Sequence, residues 1–201
     1  MASISKLKKK RRQKMIKPED LRIGDLVRVS SNKCMIPEGT VCRVTQINPE
    51  RTYKDYKGIV NLSNTDGSNG GPWGAWCSHI EGLPLTSEIL AKNGFKAIDP
   101  ECCYTKSMGD SSRSLKRYVS VERKCNDWAV FLKYESTPDY ILIRHIKHVH
   151  ELQHILWVLG LDAKMIYPSL GAPNFEAFLA HVEDIDDELS NRILEFLNDP
   201  Q

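Results

Sequence analysis

Short β-type runs separated by turns constrain the first half of this chain most strongly. Apolar and polar residues alternate or cluster in three such runs, at residues 39–47, 58–63 and 75–85. Ahead of them, residues 21–29 follow the pattern L-x-x-G-D-x-V-x-V, which is typical of a turn that enters a strand. Short strands at this spacing predict a small antiparallel barrel over residues 18–85.

The turn at the head of this region resembles the start of SH3-like barrels, in which a G-D-x-V turn precedes the first strand. Here the turn is Gly24-Asp25 and the strand begins near Val27. The resemblance covers residues 18–85 at most and implies an SH3-like antiparallel barrel there.

The second half mixes helical and β-type segments. Thr86 or Ser87 can cap a helix that ends near Asn93, with Gly94 following its C-cap. Three β-rich runs come later, and S-T-P-D joins the last two as a hairpin loop. These runs are residues 116–122, 128–135 and 140–146.

The remaining segments are predicted to be loop and helix. Residues 100–114 are polar and are predicted to form an exposed loop. A long helix is predicted from about Ile143 to Leu159, and two further helices are predicted after Pro173. The expected fold class is therefore α+β, with a small SH3-like barrel, an α+β body with a long helix, and two C-terminal helices.

These elements divide the chain into four predicted parts. They are a basic flexible tail (1–17), the small β-barrel (18–85), the α+β body (86–165) and an acidic helical C-terminal extension (166–201). Hydrophobic residues make up 41% and charged residues 27% of the chain, which excludes collagen, coiled coil and wholesale disorder as the main architecture.

Charge is distributed unevenly along the chain. Residues 1–17, which we call the arm, carry eight cations and no acid, whereas the net charge of the whole chain is +2. Residues 18–201 therefore carry −6, and most of that excess lies in residues 174–201. The arm cations are Lys6, Lys8, Lys9, Lys10, Arg11, Arg12, Lys14 and Lys17.

A dense cationic block repels itself and stays disordered without an anionic partner. Nucleic acid is the commonest such partner, because neutralised phosphates release counterions. We therefore expect the arm to contact nucleic acid or a large protein assembly. A solvated tail, or an arm docked on the acidic C-terminal end, are the alternatives.

One short motif, at residues 150–154, suggests metal chemistry. These residues read His-Glu-Leu-Gln-His and fit H-E-x-x-H. On a helix, His150 and His154 share a face and can bind one Zn²⁺, while Glu151 can act as general base. A helical wheel places both histidines opposite the apolar stripe of Val149, Leu152, Leu156 and Leu159.

The same pattern also fits a solvated helix face without metal. The third ligand of one zinc-peptidase class would be residue 160, which is a glycine. Glu176 or Glu183 could serve as third ligand, although the region around them is generally acidic. We expect no catalytic residues, metal or other cofactor, with a zinc-dependent hydrolase as the alternative.

The aromatic residues and the cysteines are two further groups of candidate functional residues. Tyr53, Tyr56, Trp73 and Trp76 could form an aromatic binding face, although core or rim packing is the ordinary role of such residues. The six cysteines form no C-x-x-C pair and are expected to be reduced thiols.

Two segments resemble a family of small uncharacterised proteins of gut bacterial genomes, their phages and mobile elements. The family marks are I-P-L-T-x-E-I-L-x-K-x-G-F and a later V-H-x-L-Q helix. Here they fall on Leu83–Phe95 and His148–Gln153. The resemblance covers roughly residues 18–162. In that family the position of Glu151 is often Gln and that of His154 varies, which implies a packing helix rather than a peptidase.

The sequence therefore supports two hypotheses. The first is a non-enzymatic binding or structural protein of phage or mobile-element type, whose basic arm contacts nucleic acid or an assembly. The second is the zinc hydrolase. No apolar run reaches the about 18–20 residues of a membrane helix, and no apolar stretch follows the arm. We expect a cytoplasmic protein without a membrane partner, in the host cell or a virion if phage-encoded.

Overall fold

The structure is a computed structural model that describes residues 16–65, 73–109, 116–135, 137–138 and 140–167. Two antiparallel sheets of five strands each make up most of this part of the chain. Two α-helices accompany them, one of six residues and one of ten.

The first sheet contains β1 to β5 in the order β4-β3-β2-β1-β5. Its strands are β1 (Leu26–Val29), β2 (Val41–Tyr53), β3 (Tyr56–Asn64), β4 (Trp73–Trp76) and β5 (Ile80–Gly82). Short 3₁₀ helices at Pro18–Asp20 and Cys77–His79 precede β1 and β5. The predicted turn into β1 is confirmed, with Gly24 at a φ of +97° that favours glycine.

The second sheet contains β6 to β10 in the order β10-β9-β8-β7-β6. The elements of this half are α1 (Ser87–Lys92), β6 (Lys96–Asp99), β7 (Cys103–Ser107), β8 (Arg117–Lys124), β9 (Asp127–Tyr134), β10 (Tyr140–Ile146) and α2 (Val149–Val158). The predicted cap of α1 is confirmed, because the Thr86 side chain accepts a hydrogen bond from the Ile89 N–H.

The predicted α+β class with an SH3-like barrel was wrong. The described residues are largely β, and the first sheet has an open strand order with β4 and β5 at its edges. The predicted helix over 143–159 shrinks to Val149–Val158, because residues 140–146 pair with β9. The predicted loop at 100–114 contains β7, since Tyr104 is buried beside Val121. The two predicted C-terminal helices lie outside the described residues.

Each sheet covers its own apolar core. The first core lies against the first sheet and includes Val27, Val44, Val60 and Leu62. The second lies between the second sheet and both helices, and it also takes in Leu26 of β1. Because one β1 side chain enters the second core, the two sheets share a packed boundary. The division of the chain at residue 85 into separate domains stays a prediction.

The two segments that carry the family resemblance lie side by side. The Val149 N–H donates to the Leu83 carbonyl and the Leu85 N–H donates to the Lys147 carbonyl, both at 2.9 Å. This pairing holds the start of α2 beside the strand that leads into α1. These two hydrogen bonds join the segment after β5 to the segment between β10 and α2.

Candidate functional site

The H-E-L-Q-H residues lie in α2, which packs between the two sheets. His150 is 5% exposed and Gln153 4%. The alternative of a solvated helix face does not hold for His150, because β1 and β5 cover that side of the helix. His154 is partly buried, with 23% of its side chain exposed.

Because Gly82 of β5 has no side chain, the rings of His148 and His150 can pack against its backbone. A Cβ atom at position 82 would lie 2.6 Å from His148 Cγ and 2.9 Å from His150 Cε1, closer than real Cβ atoms approach other atoms. The rings of His148 and His150 are stacked, with centroids 5.5 Å apart. Burial lowers the pKa of His150 to about 4, so its ring is neutral at pH 7.

The carboxylate of Glu151 caps the start of α2. Its Oε2 atom accepts the N–H of Lys147 at 2.8 Å and that of His148 at 3.0 Å. Burial raises the pKa of Glu151, but the hydrogen bonds from the His148 side chain and from these two N–H groups outweigh it and hold the pKa at about 2. Glu151 is thus an anchored anion at the helix N-terminus.

His154 is bound by Asp25, which the sequence analysis did not single out as a partner. The Nε2 atom of His154 lies 3.0 Å and 2.9 Å from the two carboxylate oxygens of Asp25. Asp25 is 2% exposed, and its Oδ2 also accepts the Arg22 N–H at 2.8 Å. No sequence pattern could reveal this pair, because its members are 129 residues apart.

Gln153 ties α2 to the turn before β1. Its Oε1 accepts the N–H of Leu26 at 3.0 Å, and its Nε2 donates to the carbonyls of Gly24 and Ala163, each at 3.1 Å. All the hydrogen-bonding groups of this side chain are directed at backbone. The Gln153 side chain therefore fixes the position of the helix on the first sheet.

The arrangement does not match a zinc-hydrolase centre. In the described ranges, no group of three or more His, Cys, Asp or Glu residues is placed to hold a metal ion. Glu151 is engaged as a cap and His154 Nε2 faces Asp25. His150 Nδ1 is buried and has no hydrogen-bond partner in the described part of the chain. The alternative ligands Glu176 and Glu183 lie outside the described residues.

Three of the four aromatic residues singled out in the sequence form a row on the first sheet. Tyr53 and Tyr56 face each other across the β2–β3 turn, and Trp76 ends β4. The Trp76 ring centroid lies 6.4 Å from that of Tyr53 and 5.6 Å from that of Tyr56, with ring planes within about 21°. We call Tyr53, Trp76 and Tyr56 the aromatic row. Trp73 packs against the first core instead.

The C-terminal end of the arm packs on the first sheet. Ile16 is 9% exposed and belongs to the first core, and Pro18 is buried. A Cβ atom on Gly58 would overlap the Pro18 ring and lie 3.2 Å from Cys77 Sγ. Gly58 follows Tyr56 by two residues and Cys77 follows Trp76. The last arm cation, Lys17, has 63% of its side chain exposed at this point. The other seven predicted nucleic-acid-binding cations lie outside the described residues.

Burial keeps the thiols of the three buried cysteines protonated at neutral pH. Burial raises the pKa of Cys34 and Cys42 to about 12, and burial together with the charge of Glu19 raises that of Cys77 to about 11. A thiol needs a lowered pKa to act as a nucleophile. Cys77 and His79 lie in a 3₁₀ helix, not in the strand expected there.

Comparisons with protein-family models, with curated proteins and with solved structures found no match. Among the residues that the structure describes, no helix is both long and apolar enough to cross a membrane.

Proposed function

We propose that this chain is a non-enzymatic nucleic-acid-binding protein whose cationic arm contacts phosphates while the two-sheet body holds the arm in place. The observation that carries the proposal is the anchoring of the arm at its root. Ile16 is in the first core and Pro18 packs on Gly58, so a segment with a charge of +8 starts from a fixed point on the first sheet.

The contacts of the α2 cluster give these residues a structural role rather than a catalytic one. Glu151 accepts backbone N–H groups, Gln153 bonds three backbone groups, and His154 is paired with Asp25. Each of these polar side chains stabilises the fold. The residue pattern that suggested a hydrolase is explained by the packing of a helix between two sheets.

The origin of the protein belongs to the same proposal. The resemblance of Leu83–Phe95 and His148–Gln153 to proteins of gut bacteria, their phages and mobile elements supports a phage or mobile-element setting. In that setting the arm would bind nucleic acid in the host cytoplasm or inside a virion.

Fluorescence anisotropy with labelled 20-nucleotide DNA and RNA, single- and double-stranded, tests this proposal. The test variant replaces the seven cations from Lys6 to Lys14 with glutamine. A control outside the arm replaces with glutamine three cations of surface ion pairs on the second half, Lys116, Arg144 and Lys147.

We expect the wild-type protein and the control to bind, with affinity falling about 10³-fold between 50 and 200 mM salt. The arm variant should lose most of this affinity and most of its salt dependence. Absence of binding by the wild-type protein at 50 mM salt, or equal binding by the arm variant, would overturn the proposal. An arm that serves a protein assembly instead would give the first of these results.

A further inference from the structure

We infer that the aromatic row of Tyr53, Trp76 and Tyr56 is a stacking platform for the unpaired bases of a single-stranded nucleic acid. The inference rests on the proposed function, because the arm supplies the attraction to phosphate. It adds the class of nucleic acid and a second, uncharged contact.

The row is not part of either apolar core. On β4, Trp76 follows the core residue Ala75 and therefore faces away from the first core, whereas Tyr56 shares the parity of Val60 on β3 and packs edge-on against His79, with ring centroids 5.1 Å apart. Of the four aromatic residues in this region, Trp73 alone packs against that core. Tyr53 is 49% exposed, and Trp76 and Tyr56 are half-buried. Three adjacent aromatic rings are therefore held at a surface.

The geometry of the row suits flat ligands. The planes of Tyr53 and Tyr56 lie within about 21° of the Trp76 plane and both rings stack against Trp76, which leaves Tyr53, the most exposed of the three, as the ring most open to a further stacked base. The tight β2–β3 turn and the pairing of Ile59 with Trp76 fix the backbone beneath them. Rigid aromatic faces lose little conformational entropy when a base stacks on them.

The charges around the row favour a polyanion. Lys54 Nζ lies 5.3 Å from the centre of the Tyr53 ring, and Lys57 follows Tyr56 on β3. Lys17 lies at the root of the arm, paired at 3.8 Å with Glu19. Asp55 lies in the same turn as Lys54. Residues 1–14, which precede Lys17 in the chain, carry seven further cations and no acid.

A single strand fits this combination better than a duplex. Bases in a duplex are stacked on each other and cannot reach an external ring, whereas the bases of a single strand can splay onto aromatic side chains. The arm cations can pair equally well with the phosphates of a single strand and with those of a duplex. The preference for single strands therefore has to come from the row.

The test varies both the ligand and the substituted residue, so that the contribution of the aromatic row to the affinity can be separated from that of the arm. Anisotropy is measured with a 20-nucleotide oligothymidine, with a 20-nucleotide abasic strand of equal charge, and with a 20-base-pair duplex. The variants are Tyr53→Ala, the arm variant described above, and Tyr140→Ala. Tyr140 is a control because it is 61% exposed and lies on β10 of the other sheet.

We expect oligothymidine to bind at least tenfold more tightly than the abasic strand. Tyr53→Ala should lower the affinity for oligothymidine about tenfold. It should leave the affinities for the abasic strand and the duplex, and the salt dependence of binding, unchanged. Tyr140→Ala should bind all three ligands like the wild-type protein. A second substitution, Trp76→Leu, should repeat the Tyr53→Ala result, with circular dichroism confirming that both variants are folded.

The outcomes distinguish the two proposals. Equal affinity for oligothymidine and the abasic strand, with no effect of Tyr53→Ala, overturns the stacking platform and leaves the arm proposal standing. A strong effect of Tyr53→Ala with none from the arm variant overturns the arm proposal and supports the platform. Absence of binding of all three ligands by the wild-type protein overturns both.

Discussion

Asp25 and His154 form a partly buried polar pair that links the turn before β1 to α2. His154 Nε2 lies 2.9 Å from Asp25 Oδ2, and Asp25 is 2% exposed. Asp25 also holds the turn into β1 through the Arg22 N–H. One carboxylate therefore fixes both the start of the first sheet and the helix that packs on it.

Removing this carboxylate should destabilise the fold. Asp25→Ala leaves the Arg22 N–H and His154 Nε2 without their acceptor, so the free energy of unfolding should fall by about 2–4 kcal/mol. Urea unfolding measures this, and a double-mutant cycle with His154→Ala should show a coupling of about 0.5–3 kcal/mol. Glu19→Ala, at an exposed pair with Lys17, should cost about 0.5 kcal/mol or less. Equal losses for Asp25 and Glu19 would contradict the assignment.

Burial of His150 should make the protein sensitive to acid. Its pKa is about 4 in the folded state and 6.5 in the unfolded state, so the unfolded state binds more protons between these values. The stability that this group contributes is complete above pH 6.5 and is lost as the pH falls to about 4, by about 3 kcal/mol in total. Urea unfolding at a series of pH values measures the slope.

A matched pair of variants assigns that slope to one residue. His150→Leu should flatten the pH dependence between pH 6.5 and 4, because the variant has no group to protonate there. His145→Gln, at an exposed position on β10, should keep the wild-type slope. An unchanged slope in His150→Leu would show that other groups cause the acid sensitivity.

A methyl group at Gly82 should disrupt the packing of α2. The new Cβ would lie 2.6–2.9 Å from ring atoms of His148 and His150, and both rings are held by neighbours. Gly82→Ala should therefore lower the free energy of unfolding by about 1–3 kcal/mol. Gly74→Ala is the control, because its Cβ would meet Ile59 Cδ1 at an ordinary 3.5 Å. Equal melting temperatures for the two variants would contradict this account of the packing around Gly82.

Removal of the Gln153 amide should lower the free energy of unfolding, because this side chain joins α2 to the turn before β1. Gln153→Leu leaves the buried Leu26 N–H and the carbonyls of Gly24 and Ala163 without this partner, so we expect a loss of about 2–4 kcal/mol. Gln46→Leu removes one exposed hydrogen bond to Asn61 and should cost about 0.5 kcal/mol or less. Urea unfolding of both variants makes the comparison, and a Gln153→Leu protein as stable as wild type would refute the role given to this residue.

The protein should not carry stoichiometric zinc. Because Glu151 caps α2 and His154 faces Asp25, we expect well under one zinc per chain in protein purified without a His-tag or chelator. Mass spectrometry of metal content measures this. A content near one zinc per chain that disappears in His150→Ala would reinstate the hydrolase hypothesis.

Local signals were enough to predict several elements. Thr86 and Gly94 bracket α1 as predicted, because a cap and a left-handed residue after the helix act within a few positions of each other. The turn before β1 and the hairpin from β9 to β10 were predicted for the same reason. The helical wheel failed for His150, because it assumed one buried face whereas α2 is covered on two sides.

The sequence by itself determined the charge of the arm, the positions of most strands and the caps of α1, since each depends on neighbouring residues. Tertiary structure alone decided what the polar residues of H-E-L-Q-H do. Asp25 contacts His154, and Gly82 contacts His150, only when both sheets pack against α2. Burial of these groups then favours the partner that each side chain has in the structure. The aromatic row likewise depends on pairing of β3 with β4, which brings Trp76 beside Tyr53 and Tyr56.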